Sequence, residues 1–503
     1  MEMPPSLPSR ALVRGSLKRI PLPPAVIVTA LSLAAVAGIA AAIPGPWTFL
    51  MAGSIVALLL ATLVPAAPTR TTSRSGSLAV EVPVLALLAS GLVFRVRGTE
   101  EILDNPLDTA GLFRVAFLAL ALFLAAIGFM NGRQSGIRSR PFRLYALYAA
   151  TALIGAAGSA DPLLTIFHVG ELLIALFVFV AAVRSAGPEA PFRIEATLYW
   201  FQVTLMGTVW LSVILFPGQA IIPVNSPIPW QIQGVVPAVA SNGVGTLGAI
   251  LTLWSLARFL SPVAERSSPR LSLGIAAAGF VTLVAAQYRT GYVAFAVGLV
   301  ILLALRGRAV LAAFVLAAVV GLFLVGHGFA EEAQPLLLRG QTPEEASQLS
   351  SRLDWWRLAI PVWQESPLVG RGLLTATRFE VLGEIGREET STIHSTWVEA
   401  LVGTGVVGVT FLAASFLVLL RRAIRCALAP TGRIVPLVVL TVLAIRSVTG
   451  TTFEASGRSL LIFLAFALIL DDSHTWVRSP AAPTPALSSP GASNPTAKAN
   501  RAW

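Results

Sequence analysis

Apolar runs of roughly membrane-spanning length recur along nearly the whole chain, and this pattern limits what it can fold into more than any other. A hydrocarbon core about 30 Å thick takes roughly 20 helical residues, and a helix satisfies its own backbone inside it. By that measure the runs are Pro24–Ala42, Pro46–Pro65, Leu78–Phe94, Gly111–Met130, Leu144–Gly158, Pro162–Val183 and Ala196–Phe216. They continue as Val239–Leu256, Leu271–Gln287, Thr290–Leu305, Val310–Val325, Trp397–Leu420, Ile434–Val448 and Ser459–Leu470, the last two being short. Composition agrees. Of 503 residues, 55% are hydrophobic and 12% charged, against roughly 25% charged in a soluble domain. The expectation is an all-α polytopic membrane protein with about 12–14 transmembrane helices.

The net charge of +11 could suit a nucleic acid, but its distribution does not. Lys and Arg gather in short loops between apolar runs, as the positive-inside bias produces. A cytoplasmic N-terminus puts Arg70/Arg74, the Arg133-Arg138-Arg140-Arg143 cluster, Arg184/Arg193, Arg258/Arg266/Arg270, Arg306/Arg308 and Arg421/Arg422/Arg425/Arg433 inside. The acidic residues Glu100, Glu101, Asp104 and Asp108 then fall outside, and about two-thirds of the Lys and Arg lie inside. No compact basic domain remains for a nucleic-acid partner. Cys426, the single cysteine, cannot form an internal disulfide and falls on the cytoplasmic side. Four histidines and one cysteine argue against a His/Cys metal site.

Three regions follow. Residues 1–22 read as a disordered basic cytoplasmic arm, 23–478 as the transmembrane helical domain, and 479–503 as a disordered Pro/Ala/Ser-rich cytoplasmic tail. Two outside loops stand apart. Pro217 to Pro237 is too rich in proline for a membrane helix, so it is expected along the interface or lining a cavity. The other, 328–393, is an extracytoplasmic loop of about 65 residues carrying ten acidic side chains.

That second loop holds most of the chemistry. Ser351-Arg352-Leu353-Asp354 matches a capping box. Leu353, Trp356, Ile360 and Trp363 then share one helical face, which on its own reads as a short amphipathic helix anchored at the membrane surface. Arg352 at its start carries a planar donor fork that suits an anion. Ser366-Pro367-Leu368-Val369-Gly370-Arg371-Gly372 is a tight turn that permits close backbone approach. His394, at the start of the next span, titrates near neutrality and could transfer protons, although a lone histidine is more often structural. Elsewhere, Gln287-Tyr288-Arg289-Thr290-Gly291 is a very short outer turn. An arginine there runs against the positive-inside bias, so its charge is either wanted or snorkelling to headgroups. Glu81, Arg114, His168, Glu171 and Arg446 lie inside spans and are expected to pair structurally. His168 and Glu171 share a helix face. Glu399 is not expected to orient His394, since the two do not share a face.

Together these pieces resemble the O-antigen ligase and polymerase superfamily of bacterial envelope enzymes. The stretch Ser351 to Trp356 is similar to its S-G-R-x-x-x-W element, and Pro367 to Gly372 to its P-x-x-G-x-G element. His394, Ser395, Leu401, Gly405 and Gly408 resemble H-[NS]-x-x-x-x-x-L-x-x-x-G-x-x-G. Tyr288-Arg289-Thr290 resembles an S-R-[TG] turn with Tyr in place of Ser, and Asn242 and Gly245 more loosely resemble an Asn-Leu-Gly element. The resemblance covers roughly residues 240 to 420.

The resemblance implies a glycosyltransferase without cofactor or metal in the bacterial inner membrane, acting on its extracytoplasmic side. Its donor would be a glycan on undecaprenyl diphosphate, and its acceptor a hydroxyl of lipid A core or of a growing polysaccharide. The residues fit such chemistry. Displacing a diphosphate without a metal calls for cations, and Arg289, Arg352 and, third, Arg371 are the candidates. His394 is the candidate general base. Two alternatives stay open: a protein O-oligosaccharyltransferase, and a non-enzymatic flippase or transporter of lipid-linked oligosaccharides. The second would lead one to expect internal repeats and broken helices at mid-membrane.

Overall fold

The computed structural model describes residues 74–92, 108–132, 137–224, 228–261, 269–325, 352–383, 392–429, 432–454 and 457–471. The expected spans Pro24–Ala42 and Pro46–Pro65, both terminal segments, and the capping residue Ser351 lie outside them. The described chain is almost entirely helical. The helices are α1 (Arg74–Leu92), α2 (Thr109–Asn131), α3 (Arg140–Gly155), α4 (Pro162–Ala186), α5 (Ala190–Leu215), α6 (Ser241–Phe259) and α7 (Pro269–Ala285). They continue with α8 (Arg289–Leu305), α9 (Ala309–Val325), α10 (Arg352–Glu365), α11 (Thr396–Leu428), α12 (Val435–Thr449) and α13 (Arg458–Ile469). Every expected span from the third onward coincides with one of these. Four of them, within α2, α4, α5 and α11, are long and apolar enough to cross a membrane unaided.

The bundle packs α6 on α7, α3 on α11, and α1 on α2, with α12 against α6, α8 and α11. Helix α13 has only 12 residues, about 18 Å at 1.5 Å per residue, which is short of the hydrocarbon thickness. Its apolar residues are nearly all inaccessible, so it is a central strut that neighbouring helices shield. Lipid is as apolar as leucine, so helices in a membrane associate through close packing and polar contacts. Here Tyr145 donates to the Phe453 carbonyl (2.5 Å), Ser415 to the Pro141 carbonyl (2.7 Å), and Tyr199 and Ser255 share a hydrogen bond (2.9 Å). Leu163, Ile214 and Phe314 face outward.

The intramembrane charges divide. Arg114 on α2 makes a two-pronged ion pair with Glu171 on α4 (2.5 and 2.6 Å), with His168 Nδ1 3.6 Å from the same carboxylate. Arg446 on α12 makes no such pair among the described residues. It donates instead to Ser459 Oγ (2.9 Å).

The structure adds detail to one sequence expectation and revises another. The proline-rich loop after α5 contains a small antiparallel hairpin, Ile221–Pro223 against Trp230–Ile232. Alternating burial was too short there to read. On α10, the inward face is Ala359 and Val362 with Trp355, Trp356 and Trp363 around them, while Ile360 is 47% exposed. The face is rotated because Trp356 Nε1 donates to the Ile393 carbonyl (3.0 Å), which draws the helix onto the start of α11.

Candidate active site

The site begins with a broken helix. Inside α11, Gly405 has φ +63° and ψ −172°, so the helical ladder is interrupted. The turn at 366–372 fills the gap. Val406 N donates to the Pro367 carbonyl (2.8 Å) and Val407 N to that of Leu368 (3.2 Å). In return Arg371 N donates to the Val402 carbonyl (3.0 Å) and Gly372 N to that of Gly403 (3.1 Å). Groups orphaned by the break are thus satisfied by the loop. The contact is backbone on backbone, which accounts for the glycines. A Cβ on Gly370 would sit 2.4 Å from Gly403 C, and one on Gly405 2.3 Å from Leu368 C.

His394 stands just before the N-cap of α11, Ser395, whose side chain accepts from Val398 N. Its own φ is +54°, a conformation that non-glycine residues seldom adopt and that recurs at functional sites. Its ring lies 5.9 Å from that of Trp355, centre to centre. Burial first, then the charges of Arg352 and Arg446, lower its pKa to about 4. The imidazole is therefore neutral at pH 7 and able to accept a proton. Under it, Glu399 accepts from Thr377 Oγ1 and takes a backbone hydrogen bond from Ile393. It thereby fixes the residue before His394, an orienting role that face-sharing along the helix does not reveal.

Arg352 opens α10 and lies within electrostatic range of both His394 and Tyr288. Arg289 opens α8, directly after Tyr288. Its turn is held from both sides. Gln287, at φ +48°, donates to the carbonyls of Ile228 (2.9 Å) and Trp230 in the hairpin loop. On the other side, a Cβ on Gly245 would lie 2.3 Å from Tyr288 Cβ. This close fit gives the Asn242–Gly245 element its physical purpose. Thr449 Oγ1 donates to Thr290 Oγ1 (3.0 Å), joining the ends of α12 and α8.

Arg371 is placed differently. It is ion-paired to Glu365 and, at 2.7 Å, to Glu380, so its charge is already matched. Sequence reasoning did not single out Glu454, between α12 and α13. Its carboxylate accepts from Thr396 Oγ1 (2.8 Å), Thr452 N (3.0 Å) and Phe453 N (2.8 Å). Burial still pushes its pKa up. Arg458, also missed, opens α13 and donates to the Gly243 carbonyl (2.7 Å). Its signal was the one noticed at Arg289: an arginine at the start of an apolar span. Among the described residues no group of three or more His, Cys, Asp or Glu could hold a metal ion.

The fold and this site define a polytopic helical membrane protein in which Arg352 and Arg446 act electrostatically on His394. Residues 274–413 match the family model described as O-Antigen ligase, so this segment is similar to an O-antigen ligase domain. The match takes in Arg289, Arg352, Arg371, His394 and Gly405, and stops before Arg446 and Arg458. No curated protein matches the chain.

Proposed function

We propose that the protein transfers a glycan from undecaprenyl diphosphate to an acceptor hydroxyl, on lipid A core or a growing polysaccharide, at the outer face of the bacterial inner membrane. The observation that carries this reading is the environment of His394: a neutral imidazole held beside guanidinium groups. Such a pairing suits a reaction that removes a proton from one partner and gathers negative charge on the other.

In this reading the acceptor oxygen attacks the anomeric carbon as His394 takes its proton. The bond from that carbon to the phosphate oxygen breaks, and the diphosphate leaves with the electron pair. Arg289 and Arg352 stabilise the departing charge, which removes the need for a metal. One direct displacement inverts the anomeric centre. Arg371 holds the loop through its two carboxylates.

The test is His394→Ala in the native host, with envelope glycans separated by gel into carrier-bound and acceptor-bound material. Long chains stranded on the carrier identify a ligase, and single repeat units in place of a ladder identify a polymerase. An unchanged pattern at normal protein level removes His394 as the base and favours a transporter of lipid-linked glycans.

A further inference from the structure

Several arginines described away from the site have a partner for their charge, although Arg306 Nε and Nη2 are buried without a hydrogen-bond partner among the described residues. Arg114 pairs with Glu171, Arg193 with Glu189 (3.1 Å), Arg433 with Glu195 (2.7 Å) and Arg422 with Asp471 (3.5 Å). Arg184 and Arg258 lie over the rings of Phe129 and Tyr199. At the site the pattern reverses. Among the described residues no carboxylate pairs with Arg352, Arg446 or Arg458. Arg446 has a hydroxyl, Ser459 Oγ, and Arg458 has one carbonyl, that of Gly243. Arg458 Nη1 is buried and has no hydrogen-bond partner among the described residues. The nearest acid in sequence, Glu454, is engaged by Thr396, Thr452 and Phe453.

These cations also act on one another. Arg446 lies within electrostatic range of Arg458, and both Arg446 and Arg352 lie within range of His394. Gathering like charges away from water is costly, and in a membrane protein such groups mark ligand paths unless they are paired. A multiply charged anion removes that cost for several of them at once. Guanidinium forks match phosphate oxygens in geometry.

We propose that Arg446 and Arg458 bind phosphate and extend the diphosphate seat from α8 and α10 to α12 and α13. This rests on the glycan-transfer reading for the identity of the ligand as a lipid-linked diphosphate. The two residues lie beyond the matched 274–413 segment, so this chain builds part of its anion site outside that segment.

The test measures binding to the full chain in lipid nanodiscs by calorimetry, with farnesyl diphosphate, farnesyl monophosphate and inorganic pyrophosphate as probes. Arg446→Gln and Arg458→Gln are each expected to weaken farnesyl diphosphate about tenfold, the loss of one charge-assisted contact. The monophosphate should weaken less. Arg446→Lys and Arg458→Lys keep the charge but not the fork, so their losses should be smaller than those of the Gln variants. They also serve if the Gln forms fail to fold, which thermal melts would reveal. Folded Gln variants that bind the diphosphate within twofold of wild type overturn the proposal. So do Lys variants as weak as the Gln ones, since that marks a structural role. If Arg352→Gln abolishes binding while Arg446→Gln does not, the inference falls and the transfer reading stands. If pyrophosphate binds as tightly as the farnesyl ester with the same arginine dependence, the anion seat stands and the lipid-linked donor falls.

Discussion

Val406 donates its backbone N–H to the carbonyl of Pro367 across 2.8 Å, so a residue within a membrane helix completes its hydrogen bonding with a loop residue 39 positions earlier. The loop and the helix that follows His394 are one backbone-bonded unit. The glycines on both sides are what allow the two chains to touch.

Gly370→Ala and Gly405→Ala should therefore be severe. Both positions combine positive φ with a Cβ inside 2.5 Å of backbone, where nothing can yield cheaply. Each should cost several kcal/mol and lower the detergent-solubilised melting temperature together with activity. Gly307→Ala, at φ +70° but with open space around it, is the control and should cost only about 1–2 kcal/mol. Equal effects at all three positions would deny the interlock.

The pH profile of transfer should show its acid limb near 4, where burial and the neighbouring guanidiniums place His394, and not near 6.5. Arg352→Gln should move that limb upward by removing one of the charges that oppose protonation. The same shift links to stability. Between about 4 and 6.5 the unfolded chain binds the proton that the folded chain refuses. This contribution therefore falls as pH drops through that window and is fully present above 6.5. His394→Gln should flatten that part of the stability curve. A wild-type acid limb at 6.5 would mean that the imidazole is solvated.

Glu399, itself held by Thr377, is a positioning residue in this arrangement, since it reaches His394 through the Ile393 backbone. Glu399→Gln keeps an oxygen able to accept both bonds and should retain most of kcat. Glu399→Ala should lower kcat about tenfold or more, with the acid limb displaced because the imidazole is no longer held. Equal losses from Gln and Ala, with an unmoved acid limb, would assign Glu399 a purely structural role.

Arg371→Gln should loosen the loop and leave diphosphate affinity close to wild type, because Glu365 and Glu380 already match that charge. Limited proteolysis should show faster cleavage after residue 371, and calorimetry with farnesyl diphosphate should show less than about a threefold change. A tenfold loss of affinity would return Arg371 to the anion seat.

The spans were legible because apolar runs of membrane length have few other uses, and even the short α12 and α13 emerged at nearly their full extent. The break at Gly405 was not legible as a break. A glycine in an apolar helix is ordinary, and only the partner segment at 366–372 makes this one an interruption. The histidine and the Arg289 turn stood out because each placed a polar group at a helix start. Arg446 read as an intramembrane charge in want of a carboxylate. That none of the described carboxylates pairs with it depends on how α12, α13 and α6 meet, which no local pattern encodes. Glu454 was lost for the same reason.

Arg289, Arg352 and the Arg446–Arg458 pair are carried by α8, α10 and the consecutive helices α12 and α13, three parts of the chain with no short backbone path between them. Their mutual distances are therefore set by sideways packing and not by any one segment's conformation. Lateral pressure in the surrounding bilayer thus enters the energetics of ligand capture. A membrane that squeezes these helices together sharpens the field at their ends, and one that lets them spread weakens it.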